Sequence, residues 1–382
     1  MELFTSLKLS GLFCFLTAFL FSLFLTPTIK RAALSTGIVA IPNKRSSHSK
    51  LIPTLGGVAV YMSLAASIIV THIVFDLKLE ETISYFIVAT FLMVALGVLD
   101  DSVGLEPLSK LIAQSAAALL IIKSLGPDFL NHSVGFLKKE IFLFSGTNEL
   151  VYFLITFSVV IFMNMINMID GIDGLAASVF LISCIFFSVT SIISENSFSC
   201  LLSFSGAGAI IPFIYHNTLS KKKIFLGDNG SLLAGCVLAY LSLDFIFNNS
   251  INLTTPNNTK HLLLISLFLY PITDFTRVVV LRVSKKTNPL KADNNHIHHN
   301  LIGLGLSHAS STSIIVIYTF YVFIITFTLL NTQTYIPLLF LSLTSMTIAF
   351  MPSRLMRGKN AQNKRKQFKT NKQGKHIKRQ RG

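Results

Sequence analysis

Between Phe162 and Leu175 the chain reads FMNMINMIDGIDGL, with Asn164, Asn167, Asp170 and Asp173 at every third position of an otherwise apolar stretch. A spacing of i, i+3 puts the first three on one helical face. Gly171 and Gly174 follow the two carboxylates, and glycine lets a chain turn tightly and a ligand approach the backbone. Leu150 to Met163 carries no charge, and the sequence after Leu175 is apolar again. Two amides and two carboxylates at the mouth of a membrane-type helix are costly unless they face water, metal or ligand. A loop that merely caps two helices needs fewer such groups and no fixed spacing.

Groups of the same kind recur along the chain. Asp100 and Asp101 adjoin in LGVLDDSVGL, and Asp228 stands after a glycine in IFLGDNGS. His296, His298 and His299 lie in ADNNHIHHNL, and PNKRSSH carries Arg45 and His48 just before the glycines of PTLGG. Carboxylate and amide oxygens suit Mg2+, with Mn2+ as a substitute. Glycine-rich turns offer backbone N–H groups to phosphate, and Lys110, Arg45 and the histidines can neutralise phosphate oxygens. The chemistry indicated is metal-dependent phosphoryl transfer. There is no GxxxxGK[ST], so a nucleotide is not held by a P-loop. Zinc at HIHH would need three or four ligands, and beside Asp293 no cysteine is near to supply one.

The elements that must position these groups are membrane helices. The chain has 382 residues, 52% of them hydrophobic and 13% charged. Mean hydropathy is +0.64, outside the range of soluble globular domains. Apolar runs near bilayer-spanning length recur throughout. We expect an all-α integral membrane protein with about eleven transmembrane helices, at about 8–29, 52–75, 83–99, 109–125, 150–166, 174–193, 199–217, 231–249, 261–283, 312–331 and 335–352. The first run lacks a small-residue cleavage site and reads as a retained helix. Cys14, Cys184, Cys200 and Cys236 lie in apolar runs without metal-type spacing and read as packing residues.

Lysine and arginine set the orientation, with the N-terminus outside and the C-terminus cytoplasmic. The +15 net charge is then a topology signal plus a tail, and no nucleic-acid partner is expected. Residues 1–352 form the membrane domain. The segment 353–382 is a basic tail, too polar to pack, expected to be disordered and to meet anionic lipid head groups. On this map every polar group named above falls on the cytoplasmic side, which points to one active site at the inner face of the membrane.

Taken together, these motifs resemble the polyprenyl-phosphate N-acetylhexosamine-1-phosphate transferases (glycosyltransferase family 4). The shared pattern is the paired Asp100 and Asp101, NxxNxxDGxDGL from Asn164, F-x-GD-x-GS from Phe225 to Ser231, and the histidine-rich loop. The resemblance runs from roughly Thr26 to His308. HIHH preceded by an acid, with PNxRxxH, is similar to the WecA/TagO-like branch. The peptidoglycan branch would carry a PxHHHFE-like stretch, which is missing here.

The resemblance implies transfer of a sugar-1-phosphate, with GlcNAc the expected sugar, from a UDP-N-acetylhexosamine to undecaprenyl phosphate at a bacterial inner membrane. UMP leaves, and the lipid-linked product starts a cell-envelope polysaccharide such as O-antigen or teichoic acid. It also implies Mg2+ on Asp228 and Asn167, and uracil recognition by Asp173 with the Gly171 turn. Phe225 would stack on the base, and Lys110 would contact phosphate. Asp100 and Asp101 would lie near the acceptor, Asp100 as its base and Asp101 supporting metal or Lys110. His298 and His299 would touch the diphosphate or sugar, with Asn164, Asp170, His296, Arg45 and His48 completing the substrate site. A homodimer is entertained as the assembly. Asn294 stands where relatives often carry Arg, which leaves the hexosamine open.

The alternatives are the same chemistry on another UDP-sugar, such as UDP-MurNAc-pentapeptide, a covalent aspartyl-phosphate route, a transporter, and a non-catalytic scaffold. Against a transporter, the charges cluster on one side of the membrane and no internal repeat is visible. Asp274 and Arg277, at i, i+3, read as a self-neutralising intramembrane pair, and Asp244 has no evident partner in sequence.

Overall fold

A computed structural model describes residues 2–40, 51–77, 80–127, 129, 131, 133–135, 147–247, 260–287, 295–332 and 335–379. The architecture is helical. In chain order come α1 (Glu2–Thr36), a two-residue antiparallel ladder of β1 (Val39–Ala40) with β2 (Ile52–Pro53), α2 (Gly56–Phe75), α3 (Ile83–Val103) and α4 (Pro107–Ser124). Next are α5 (Asn148–Met168), α6 (Leu175–Ile193), and α7 (Ser197–Ile214), which ends in a π-helical turn at Tyr215–Leu219. Then follow α8 (Gly227–Phe247), α9 (Lys260–Leu267), α10 (Leu269–Ser284), α11 (Ile297–Gly303), α12 (His308–Leu329) and α13 (Tyr335–Arg379).

Ten of the eleven expected helices are found as single helices and the one at 261–283 as two, and they differ as membrane spans. Among the described residues nine helices are long and apolar enough to cross a bilayer, or ten if α9 and α10, bent by 70° at their junction, are counted as one span. The 18-residue α4 is not one of the nine, because Lys110, Gln114 and Lys123 interrupt its apolar character. Pro271 explains the bend. It has no N–H to give the Leu267 carbonyl, and its ring clashes with that carbonyl four residues back. The helix therefore breaks at Phe268 between α9 and α10. The basic tail is helical in backbone up to Arg379, where disorder was expected; Lys, Arg and Gln are good helix formers even without packing.

Helix α8 is the axis of the bundle. It is apolar on all sides, as a helix buried all round must be, and it packs against α2, α3, α5 and α6. Small residues bring backbones close, as is usual where lipid supplies no hydrophobic drive between helices. A methyl group on Gly97 of α3 would land on the Asp228–Asn229 backbone, and one on Gly57 of α2 on Gly230. These contacts bring the N-terminal end of α8 against the C-terminal end of α3 and the start of α2, and α5 ends beside them.

Gly97→Ala is accordingly expected to destabilise the chain by at least about 1–3 kcal/mol, since the facing backbone has to shift. Gly358→Ala, on the open flank of α13, should leave stability unchanged or slightly raised. Thermal unfolding in detergent micelles checks both.

Candidate active site

Asp228 lies at the first turn of α8, and the other sequence motifs meet around it. Its Oδ1 accepts a hydrogen bond from Asn167 Nδ2 of α5 at 2.9 Å, and the same amide donates to Ser231 Oγ at 2.8 Å. Lys110, one turn into α4, is ion-paired with Asp100 and stands 3.7 Å from Asp228 Oδ2. Asp100 also accepts from Leu105 N at 2.8 Å, which fixes the turn between α3 and α4. The structure thus gives Lys110 to Asp100, whereas Asp101 was expected to support either metal or Lys110.

Asp101 has a different task. Its two oxygens accept from Asp228 N at 3.3 Å and from Asn229 Nδ2 at 2.6 Å, so it caps the N-terminus of α8. Asn229, fully buried, also donates to the Thr54 carbonyl at 2.7 Å and accepts from Val58 N at 3.0 Å. The PTLGG loop is bound to the same corner, with Gly56 N and Gly57 N donating to the Phe225 and Leu226 carbonyls.

The DGIDG turn closes the site from the α5–α6 side. Asp170 is half-buried, and burial pushes its carboxyl well above the ordinary range, reinforced by the charges of Asp228, Asp101 and Asp173. Asp173 is the opposite case. Burial alone would raise it, but hydrogen bonds and charge from His308 and Lys223 outweigh that and hold it low. Lys223 is ion-paired with Asp173, and His308 Nδ1 is 3.3 Å from its Oδ2. Gly174, in the left-handed region at φ 78°, starts α6. Asn217 of the π-helical turn ties it down, accepting from Gly174 N at 2.6 Å and donating to the Ile224 carbonyl at 2.8 Å.

A cavity of about 730 Å³ opens beside this turn, lined by Asp173, Phe225, His308, Lys30 and Lys221–Lys223. That volume lies within the range of small-molecule sites. The histidine segment approaches from the other side. His298 is fully buried, with Nδ1 3.0 Å from the Tyr270 hydroxyl. Its Nε2 is buried without a hydrogen-bond partner, against Gly171. Burial pushes its imidazolium down to about 3, helped by His299 and His296 and opposed by Asp274, so the ring is neutral at physiological pH.

Asn164, one turn before Asn167 on α5, has a side-chain partner of its own. It pairs with Gln114 of α4, donating at 2.8 Å and accepting at 3.3 Å. Asp274 is bonded to His296 and the Ile297 N–H, both at 2.7 Å, and Arg277 donates to the Asn295 carbonyl and Ser353 Oγ. The expected Asp274–Arg277 pair is therefore corrected: after the bend, α10 turns Asp274 toward the histidines. Asp244, unexplained in sequence, accepts from Asn196 at 3.1 Å and Ser199 at 2.7 Å at the opposite end of the bundle. Arg45, His48, Asp293 and Asn294 lie outside the described residues.

The residues missed in sequence are Gln114, Asn217, Lys223, Asn229, Tyr270 and His308. Only Asn229 carried a signal, inside the GDNGS motif; Lys223 was hidden in a lysine run read as topology.

The donor set fits a hard divalent cation. Asp100 and Asp228 meet at Lys110, with the Asn167 amide on Asp228, and all can offer oxygen; Asp101 is engaged by the start of α8, and Asp170 is raised by burial and by the charges of Asp228, Asp101 and Asp173.

The residues 83–246 match the model of glycosyl transferase family 4. A Bacillus subtilis (strain 168) protein named "Probable undecaprenyl-phosphate N-acetylglucosaminyl 1-phosphate transferase" is 31% identical over 79% of this chain and 80% of its own. The chain belongs to this family. Its other relatives include a "Decaprenyl-phosphate N-acetylglucosaminephosphotransferase" of Mycolicibacterium smegmatis, 29% identical over 78% of this chain and 77% of that one. An Escherichia coli (strain K12) "Undecaprenyl-phosphate alpha-N-acetylglucosaminyl 1-phosphate transferase" is 28% identical over 79% and 77%. The paired acids, the NxxNxxDGxDGL turn and the GDNGS helix start all fall within the matched segment.

Because Asp173 is held low, its contribution to stability is complete above the ordinary carboxylate value of about 4 and is lost as pH falls through its lower folded-state value. The melting-temperature difference between the wild type and Asp173→Asn should therefore shrink on acidification from about pH 6 to about pH 3. A difference independent of pH would contradict the network drawn here.

Proposed function

We propose that this chain transfers N-acetylglucosamine-1-phosphate from UDP-GlcNAc to undecaprenyl phosphate, releasing UMP. The observation that carries the proposal is the meeting of Asp228, Asp100 with Lys110, and Asn167 at the N-terminus of α8, beside a lysine-rich cavity that holds Phe225. The N-terminus of α8 carries the positive end of the helix dipole, suited to a diphosphate. Phe225 offers a ring face for the uracil, and Lys221–Lys223 compensate phosphate charge.

In the reaction an oxygen of the lipid phosphate attacks the sugar-linked phosphorus. A new P–O bond forms, and the bond to UMP breaks with its electron pair leaving on UMP. Lys110 stands between Asp100 and Asp228, placed to hold the incoming phosphate. The acceptor is largely ionised at neutral pH, so a base at Asp100 adds about 10²–10⁴-fold, and positioning carries more. Asp101 works through the loop it caps. Asp228 and Asn167 are the residues that would hold Mg2+, which would supply positive charge against the diphosphate and the departing UMP. The product fits the initiation of a cell-envelope polysaccharide at the cytoplasmic face of the inner membrane, with the basic tail against anionic lipid.

UMP release from UDP-GlcNAc, with and without undecaprenyl phosphate, tests the proposal. Release should require the lipid, vanish with EDTA and return with Mg2+. Asp228→Ala and Asp100→Asn should each cost on the order of 10²–10³ in turnover with folding preserved, while Asp101→Asn should also lower the melting temperature. Lipid-independent or chelator-resistant transfer would refute the scheme. Sidedness follows separately: in intact cells Glu195→Cys should react with an impermeant thiol reagent and Ser307→Cys should not.

A further inference from the structure

Two residues of α10 grip two of the three histidines. Tyr270 and Asp274 are four apart and so share a helical face. Asp274 Oδ2 lies 2.7 Å from His296 Nδ1, and its Oδ1 accepts from the Ile297 N–H at 2.7 Å. The Tyr270 hydroxyl lies 3.0 Å from His298 Nδ1. All four side chains are buried, and the two imidazoles stack with centroids 5.3 Å apart and planes 15° from parallel.

Each ring thus has its Nδ1 engaged by α10, which leaves Nε2 as the atom able to act on something else. The two grips are not equivalent. An ionised carboxylate only accepts, so Asp274 requires a proton on His296 Nδ1. A phenol both donates and accepts, so Tyr270 fixes the plane of His298 but not its proton. The unpartnered Nε2 of His298 against Gly171 shows where the held ring is aimed.

We propose that Asp274 and Tyr270 are positioning residues of the transferase, fixing the tautomer of His296 and the orientation of His298 so that both rings present Nε2 toward the donor. Partners of this kind behind an active imidazole carry much of its effect. The bend at Pro271 makes the arrangement possible, since a straight continuation of α9 would carry these side chains elsewhere. The proposal rests on the reading of the histidine segment as part of the donor site.

One competing assignment uses the same atoms. Ligand atoms of Asp274, His296 and His298 all lie within 4.8 Å of one another, a spacing that a metal ion could also use. Metal coordination through His296 Nδ1 would require that nitrogen to be unprotonated, the opposite of the tautomer the positioning scheme requires.

The test uses the full chain in detergent micelles, labelled with nitrogen-15 histidine and assigned with His296→Gln. In the wild type, His296 should show the Nδ1-protonated form, and Asp274→Asn, of equal size, should show a mixture of tautomers. Transfer by Asp274→Asn should fall about 10²-fold or more in kcat, with KM for UDP-GlcNAc changed by less than about threefold. Tyr270→Phe, which keeps the buried ring, should lose about tenfold in kcat. Unchanged nitrogen spectra in Asp274→Asn, or losses that merely track the amount of folded protein, would overturn the proposal. So would one equivalent of zinc bound by the wild type and released by Asp274→Asn. A wild-type chain that releases no UMP at all would instead overturn the assigned activity.

Discussion

Asn229 is enclosed between α2, α3 and α8, and a buried amide left unbonded costs about 1–3 kcal/mol. Its carbonyl takes the Val58 N–H, and its amino group goes to Asp101 and to the Thr54 carbonyl. That one side chain ties the PTLGG loop, the end of α3 and the start of α8 into a single corner. Gly57, Gly97 and Gly230 let the backbones come near enough for it to reach all three. Lys110, Phe225 and Asp228 all lie on elements anchored there or next to it in the chain.

The corner holds its functional charge at a cost. Several carboxylates crowd one end of a membrane bundle, where water is scarce and like charges repel strongly. The chain answers unevenly. Asp100 has Lys110, Asp173 has Lys223 and His308, and Asp101 has two N–H donors, while Asp170 is left among acids. A site that is fully compensated by its own protein has little pull on a cation or a phosphate; one with a residual deficit has a great deal. Fold stability and ligand affinity are therefore set against each other at the same residues.

The helices were legible in sequence because apolar runs of fixed length have few alternatives in a bilayer. The acidic and histidine motifs were legible because such groups are rare and costly there. Partner choice was not legible. Asp274 and Arg277 looked like a pair from their spacing alone, yet a proline three residues before Asp274 redirects the helix and hands the carboxylate to residues more than twenty positions away. Asn164 reads like its neighbours in the motif, yet its partner, Gln114, lies on another helix, one turn beyond Lys110 on α4. Lys223 was one of three consecutive lysines, and nothing local distinguishes the one that reaches Asp173. In each case the deciding fact is a contact between distant segments, which periodicity does not encode.

The Gln114–Asn164 contact also constrains how this protein can change over generations. Replacing Asn164 alone by an apolar residue strands the buried Gln114, while replacing Gln114 leaves Asn164 its bond to the Val160 carbonyl, so the penalty falls mainly on the first of these single steps. Replacing both together with well-packed apolar residues removes the debt entirely. The two sites are thus expected to drift as a unit, kept polar or lost in concert.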